Sequence, residues 1–221
     1  MKLFGSSFSP YVRKIMILCA EAGIAYEAVQ IGIGDPDPAF RAASPLGKMP
    51  AIEDDGFHLA DSSAIAHYLD ARHGAGFIPA DPQARGRAIW FDEFADTELF
   101  GALQPMFFNR VVAPFFLRRE ADEEAAVAAE RDRLPKVLDY LEAVLPNAGQ
   151  PLAGDRFGLA DASVASAFVN LDHCRRSCSL DGWPRLSAWI AAAHARPAIA
   201  PIIAREQAIL TKIGAATAPA A

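Results

Sequence analysis

The sequence predicts a small α/β domain followed by an all-helical domain. Three observations carry this reading. Between Lys2 and His73, short apolar strand candidates alternate with stretches of helical period. The segment Gly74–Gln83 is rich in Gly, Pro and Ala and reads as a linker. Beyond Ala84 no strand pattern appears. The length of 221 residues suits two small domains or one large one, and 52% hydrophobic against 22% charged residues supplies a core and excludes a mainly disordered chain.

Lys2–Gly5 is the first strand candidate. Ser9-Pro10 then opens a helix, because Ser is a favoured N-cap and Pro is tolerated where its missing N–H would be unpaired anyway. Ile15, Leu18, Cys19 and Ala22 fall at helical spacing, and Gly23 ends the helix. Tyr26–Ile31 reads as a second strand, and Ala39–Ala43 as one helical turn closed by Ser44-Pro45. Ala51–Glu53 and Phe57–Ala60 are short strands around Asp55-Gly56, a dipeptide suited to the positive φ angles of a tight hairpin. Asp61-Ser62-Ser63 precedes a helix over Ala64–Arg72, with Asp61 or Ser62 as N-cap and Gly74 beyond its end. The first two strands are joined by a helix and should be parallel; the last two form an antiparallel hairpin. Ala84–Phe100, Glu123–Leu145, Leu159–Leu171, Pro184–His194 and Ala198–Ile209 read as helices, with a polar bend over Arg118–Glu124. The predicted domains are residues 1–78 and 84–213, followed by a flexible tail over 214–221.

The net charge of -6 is shared evenly: residues 1–80 hold 6 basic and 9 acidic groups, and the remainder hold 15 and 18. Such a chain lacks the basic footprint of a nucleic-acid binder. Arg13-Lys14 followed by Ile15–Cys19 superficially suggests a signal peptide, but the apolar run is short and Glu21 interrupts it. Residues 188–204 carry His194, Arg196, Pro197 and Pro201, and read as helices rather than a membrane span. Three cysteines make no disulfide framework, so the expectation is a cytoplasmic protein. Cys174, Cys178 and His173 fall short of the four ligands of a structural zinc site, so no metal is expected.

Three segments sit where a small α/β sheet exposes functional groups: Ser9-Pro10-Tyr11, Gly47-Lys48-Met49-Pro50 and Asp61-Ser62. Taken singly, each has a plain reading as a helix cap, a loop lysine before a proline that starts a strand, and a second cap. Together they describe one ligand. A helix N-terminus favours an anion and lowers a thiol pKa, so the Ser9 hydroxyl suits a bound thiolate. A cis Met49–Pro50 bond would turn the Met49 backbone toward an extended peptide. The Ser62 hydroxyl and nearby N–H groups suit a carboxylate, and Asp61 suits an ammonium group. A thiol, a peptide backbone and an amino-acid zwitterion make glutathione.

With this ordered set the chain resembles the cytosolic glutathione transferase family over nearly its whole length. The Ser-Pro-Tyr-Val-Arg-Lys segment is similar to the serine-using bacterial, tau and zeta types. The resemblance implies a thioredoxin-like first domain that binds glutathione and a helical domain that shapes the second-substrate site. It implies Ser9 as the thiolate-stabilising residue, with Lys48, Met49, Pro50, Asp61 and Ser62 as glutathione contacts. Ser6, Ser7 and Tyr11 are neighbouring hydroxyls that could substitute for Ser9. Phe8, Tyr11, Phe107 and Phe108 are expected as walls for an electrophilic, apolar small molecule. No cysteine stands at position 9, so thiol-exchange chemistry is not expected. Gly154–Asp161 resembles the family's capping signature, with Gly158 where Ser or Thr usually stands. The implied activity is transfer of glutathione to the electrophile, with glutathione as cosubstrate and a homodimer as the assembly. Isomerase, lyase or peroxidase chemistry on the same fold, or a non-catalytic binding role, are the alternatives.

Overall fold

The computed structural model describes residues 1–174 and 179–214. Residues 1–92 and 153–166 form one compact unit, and 93–152 with the later residues form a second.

The first unit is built on a four-stranded sheet of order β2-β1-β3-β4. The strands are β1 (Lys2–Phe4), β2 (Glu27–Val29), β3 (Ala51–Asp54) and β4 (Phe57–Ala60). β1 pairs with β2 in parallel, and β3 pairs antiparallel with both β1 and β4, as the crossover helix and the hairpin dictate. Asp55 and Gly56 have φ of 52° and 82°, the positive pair that a two-residue hairpin turn requires. Helix α1 (Pro10–Ala22) stops at Gly23, α2 (Pro38–Ala43) is capped by Asp37, and α3 (Ser62–His73) stops at Gly74. Phe4, Ile31, Phe40, Ala43 and Ala51 form a buried cluster on one face of the sheet. Side chains alternate along a strand, so Leu3 and Ile52, also buried and paired in register, face the other way. This is the thioredoxin-like sheet that the resemblance implies, and an all-helical region follows it.

Later helices are α4 (Pro82–Phe94), α5 (Phe100–Phe107), α6 (Glu123–Asp132), α7 (Leu134–Val144), α8 (Leu159–His173), α9 (Pro184–His194) and α10 (Ala200–Lys212). Two differ from the expectation. The helix starting near Ala84 does not end at Phe100: π-helical stretches at Ala95–Leu99 and Phe108–Phe116 carry it to Phe116, through Pro105 and Pro114. The single helix expected over Glu123–Leu145 breaks at Arg133. Pro135 lies in the first turn of α7, where it has no N–H to continue the ladder. At Gly158, where Ser or Thr would add a side-chain cap, Asp161 serves the helix start. The Gly158 N–H donates to Asp161 Oδ2 at 2.9 Å, and a Cβ there would run into the Phe77 carbonyl oxygen, so only glycine allows this approach. Leu159 N donates to that same oxygen at 3.0 Å.

Within the second unit, polar side chains close helix ends. Glu142 on α7 accepts from Arg185 N at 3.0 Å and Leu186 N at 2.8 Å, capping α9 across the chain. Arg110 pairs with Glu123 and Glu130 at 2.8 and 2.7 Å, holding α6 to the π-helical stretch. No helix among the described residues is long and apolar enough to cross a membrane. Cys178 and residues 215–221, most of the expected tail, lie outside the described residues.

Candidate active site

Sheet register brings the three segments to one end of the sheet. Phe4 pairs with Ala51, and Ala51 with Ala60. The chain leaves β1 after Phe4 toward Ser9, enters β3 from Met49-Pro50, and leaves β4 after Ala60 into Asp61-Ser62. All three junctions follow from one row of the sheet.

Ser9 is the N-cap residue of α1, with extended backbone at φ -77° and ψ 125°. Its N–H donates to Ser6 O and its carbonyl accepts from Arg13 N, each at 2.9 Å. Its side chain makes no capping hydrogen bond. The hydroxyl is therefore not consumed by the helix, and Ser9 is half-buried. Ser6, Ser7 and Tyr11 are also half-buried, and Phe8 is buried. Pro10 at the helix start lacks an N–H, which narrows the donors at this mouth.

The Met49–Pro50 bond is cis. The Met49 side chain packs against the Phe4–Phe40 cluster, and its backbone lies two residues before Ala51, where the ladder with β1 starts. Lys48 is exposed. Sequence reasoning missed what orders this loop: buried Ser44 donates through Oγ to Lys48 O at 2.7 Å and accepts from Lys48 N at 3.0 Å. The Ser44-Pro45 pair was readable only as a helix stop.

At the third segment the structure decides between the two caps. Asp61 has φ 80°, and its Oδ1 accepts from Ser63 N at 2.9 Å and Ala64 N at 3.2 Å. Asp61 is exposed, so its carboxylate can cap α3 and still meet a cation from solvent; Ser62 behind it is buried. Phe107, buried, and Phe108, half-buried, stand in the second unit where α5 passes into the π-helical stretch.

Charged groups behind this end of the sheet were also missed. Arg13 and Lys14, given no structural role by the sequence, are 0% and 1% exposed. Lys14 Nζ lies 2.6 Å from Asp92 Oδ1. The available signal was position: Pro10, Lys14 and Leu18 share the helical spacing of the buried stripe. Cys19, on the same helix, has its thiol pushed up from 9.0 to about 12 by burial, which leaves it protonated and unreactive. Among the described residues, no group of three His, Cys, Asp or Glu side chains could hold a metal ion.

The chain matches the family model for the glutathione S-transferase N-terminal domain over residues 3–77 and that for the C-terminal domain over 124–192. Glutathione S-transferase 3 of Zea mays is 32% identical over 212 residues, covering 92% of this chain and 93% of the relative. The structure of glutathione S-transferase I bound with lactoylglutathione aligns with a TM-score of 0.80 at 26% identity, over 92% of this chain and 98% of that one. The maize glutathione S-transferase I complex with an atrazine glutathione conjugate aligns equally, at TM-score 0.80 and 26% identity, over 92% and 96% of the two chains.

Proposed function

Because the chain belongs to the glutathione S-transferase family, we propose that it joins glutathione to an electrophilic apolar molecule with Ser9 as the group that holds the thiolate. Its reaction is glutathione-dependent transfer, with glutathione as cosubstrate. In the proposed mechanism the nucleophile belongs to that cosubstrate. The Ser9 hydroxyl donates to the sulfur and favours its ionised form, so the thiolate is present at neutral pH to attack the electrophilic carbon. Lys48 approaches the glycyl carboxylate, the Met49 backbone before Pro50 pairs with the cysteinyl residue, and Asp61 with Ser62 holds the γ-glutamyl end. Phe8, Tyr11, Phe107 and Phe108 are the proposed contacts of the electrophile. In this reading residues 1–78 bind glutathione and 84–213 select the second substrate.

The observation that carries the reading is the Ser9 hydroxyl left out of its own helix cap, in the same sheet row as Met49-Pro50 and Asp61-Ser62. The test is Ser9→Ala. A hydrogen bond to a charged group contributes about 1.5–3 kcal/mol, so kcat should fall about tenfold or more. The pKa of bound glutathione thiol, followed by thiolate absorbance against pH, should rise by about one to two units. Unchanged kcat and thiol pKa would remove Ser9 from the mechanism and shift attention to Ser6, Ser7 or Tyr11.

This reading also assigns the chain to the serine type, similar to bacterial, tau and zeta members, and to the cytoplasm. It makes the working unit a homodimer. Light scattering at micromolar concentration should return about twice the 23.7 kDa chain mass; a mass of one chain would rule the dimer out.

A further inference from the structure

Both helix mouths of the proposed glutathione site are tied to one face of α8. At α1, Ser166 Oγ donates to Pro10 O at 2.7 Å, and Arg13 Nη1 donates to Ser166 O at 2.7 Å. Arg13 N donates in turn to Ser9 O, so this bracket closes on Ser9 itself. At α3, Asp92 Oδ1 lies 2.6 Å from both Lys14 Nζ and Ser163 Oγ, and Ser63 Oγ donates to Asp92 Oδ2 at 2.7 Å. Ser63 N donates to Asp61 Oδ1, so the second chain of bonds closes on Asp61. Ser163 and Ser166 are three residues apart on α8, the spacing that sets side chains on one helix face. Every residue named lies in the first compact unit.

Three features make this more than a generic tie. Arg13, Lys14, Asp92, Ser163 and Ser166 are all buried, and a buried ion pair adds little to stability that apolar packing could not supply. Its polar character is therefore better explained by orientation than by cohesion. Ser163 Oγ also lies 2.8 Å from Leu159 O; with one hydroxyl proton to give, the charged Asp92 is the stronger acceptor. Finally, the two arms end on Ser9 and Asp61, the residues proposed above for different ends of the cosubstrate.

We propose that the first turns of α8 form a positioning device with two separable arms. Ser166 with Arg13 sets the α1 mouth and so the aim of Ser9 at the sulfur. Ser163, acting through Asp92, Lys14 and Ser63, sets the α3 mouth and so the grip of Asp61 on the γ-glutamyl end. None of these residues touches glutathione; they act through the ones that do. The device rests on the roles given above to Ser9 and Asp61.

The test is a split between kinetic parameters in the full-length protein. Ser166→Ala should lower kcat about three- to tenfold and raise the bound thiol pKa by about half a unit to one unit, with KM for glutathione within about twofold. Ser163→Ala should do the reverse, raising KM for glutathione about three- to tenfold while leaving thiol pKa and kcat nearly unchanged. Asp92→Asn should act as Ser163→Ala does and more strongly; if it does not fold, the single-hydroxyl variant still decides. Melting temperatures are measured alongside. Variants in which KM and thiol pKa move together in step with melting temperature, or in which neither moves, overturn the device. Ser9→Ala, run in parallel, separates this from the reading beneath it. A responsive Ser9→Ala with a silent Ser166→Ala overturns the α1 arm alone. A silent Ser9→Ala with a responsive Ser166→Ala keeps the arm and moves the thiolate contact to another group at the same mouth. Silence in both overturns both.

Discussion

Gly158 and Cys19 show how single positions are constrained by neighbours far along the chain. Gly158 gives up the side chain of a reciprocal cap, yet its N–H keeps the bond to Asp161, and the missing Cβ is what lets the Phe77 carbonyl close in. Adding a methyl forces that backbone apart, an overpacking change that costs about 1–3 kcal/mol. Gly158→Ala should therefore lower the urea midpoint with the slope unchanged. An unchanged midpoint would mean that the loop at Phe77 yields freely. Cys19 makes a second residue-level prediction. Burial raises its thiol from 9.0 to about 12, so at pH 9 the folded protein keeps it protonated while the unfolded chain ionises about half of it. Iodoacetamide at that pH should leave the Cys19 peptide unmodified in native protein and alkylate it in urea, as read by peptide mass. Rapid native labelling would show that α1 opens locally.

At the scale of elements, what could be read from the sequence was what local chemistry dictates. The Asp55-Gly56 hairpin, the Gly23 and Gly74 stops and the entry of α1 at Ser9-Pro10 depend on residues within one turn of each other. The parallel first pair and antiparallel last pair follow from connection length alone. The break at Arg133 was also written locally, in Pro135, a residue that fits the first turn of a new helix. The π-helical stretches were hidden: Pro105 and Pro114 look like helix breakers, and the longer hydrogen-bond ring that accommodates the path leaves no period of its own. Of the candidate site, the helix mouths were legible because caps are local. Ser44 behind Lys48 was not, since its role depends on a loop conformation. Asp61 yields a prediction at this scale because it caps α3 and is also proposed to bind a cation. Asn caps as well as Asp, so Asp61→Asn should keep the melting temperature while weakening glutathione binding. Asp61→Ala loses the cap too, at about 1 kcal/mol, which for a chain of this size is a fall of about 2–4 °C. Equal melting temperatures for the two variants would mean that the cap contributes nothing to α3.

Over the whole molecule, the first unit is not a continuous stretch of chain. Arg13 and Ser166, joined by a buried hydrogen bond, are 153 residues apart in sequence. No reading of local pattern could pair them, which is why the sequence placed Arg13-Lys14 in a helix without assigning them a buried partner. The separation has a consequence for folding. Residues 153–166 return to the unit that Met1–Asp92 begins, bringing Ser163 to Asp92 and Ser166 to Pro10. A fragment ending at Asp92 keeps the sheet and the Lys14–Asp92 pair but loses the α8 partners of Arg13 and Asp92. Each buried hydrogen bond lost contributes about 0.5–1.5 kcal/mol, more where a charge takes part, and the apolar packing of α8 goes with them, while a domain has about 5–15 kcal/mol in total. The fragment Met1–Asp92 should therefore show native-like far-ultraviolet circular dichroism only in part and no cooperative urea transition. The same fragment with residues 153–166 appended through a flexible Gly/Ser linker should recover a sigmoidal transition. Replacing Ser163 and Ser166 with Ala in that appended segment should abolish the recovery. A fragment Met1–Asp92 that unfolds cooperatively unaided would show that the sheet and its own helices suffice, and that the return of α8 orients the site without completing the fold.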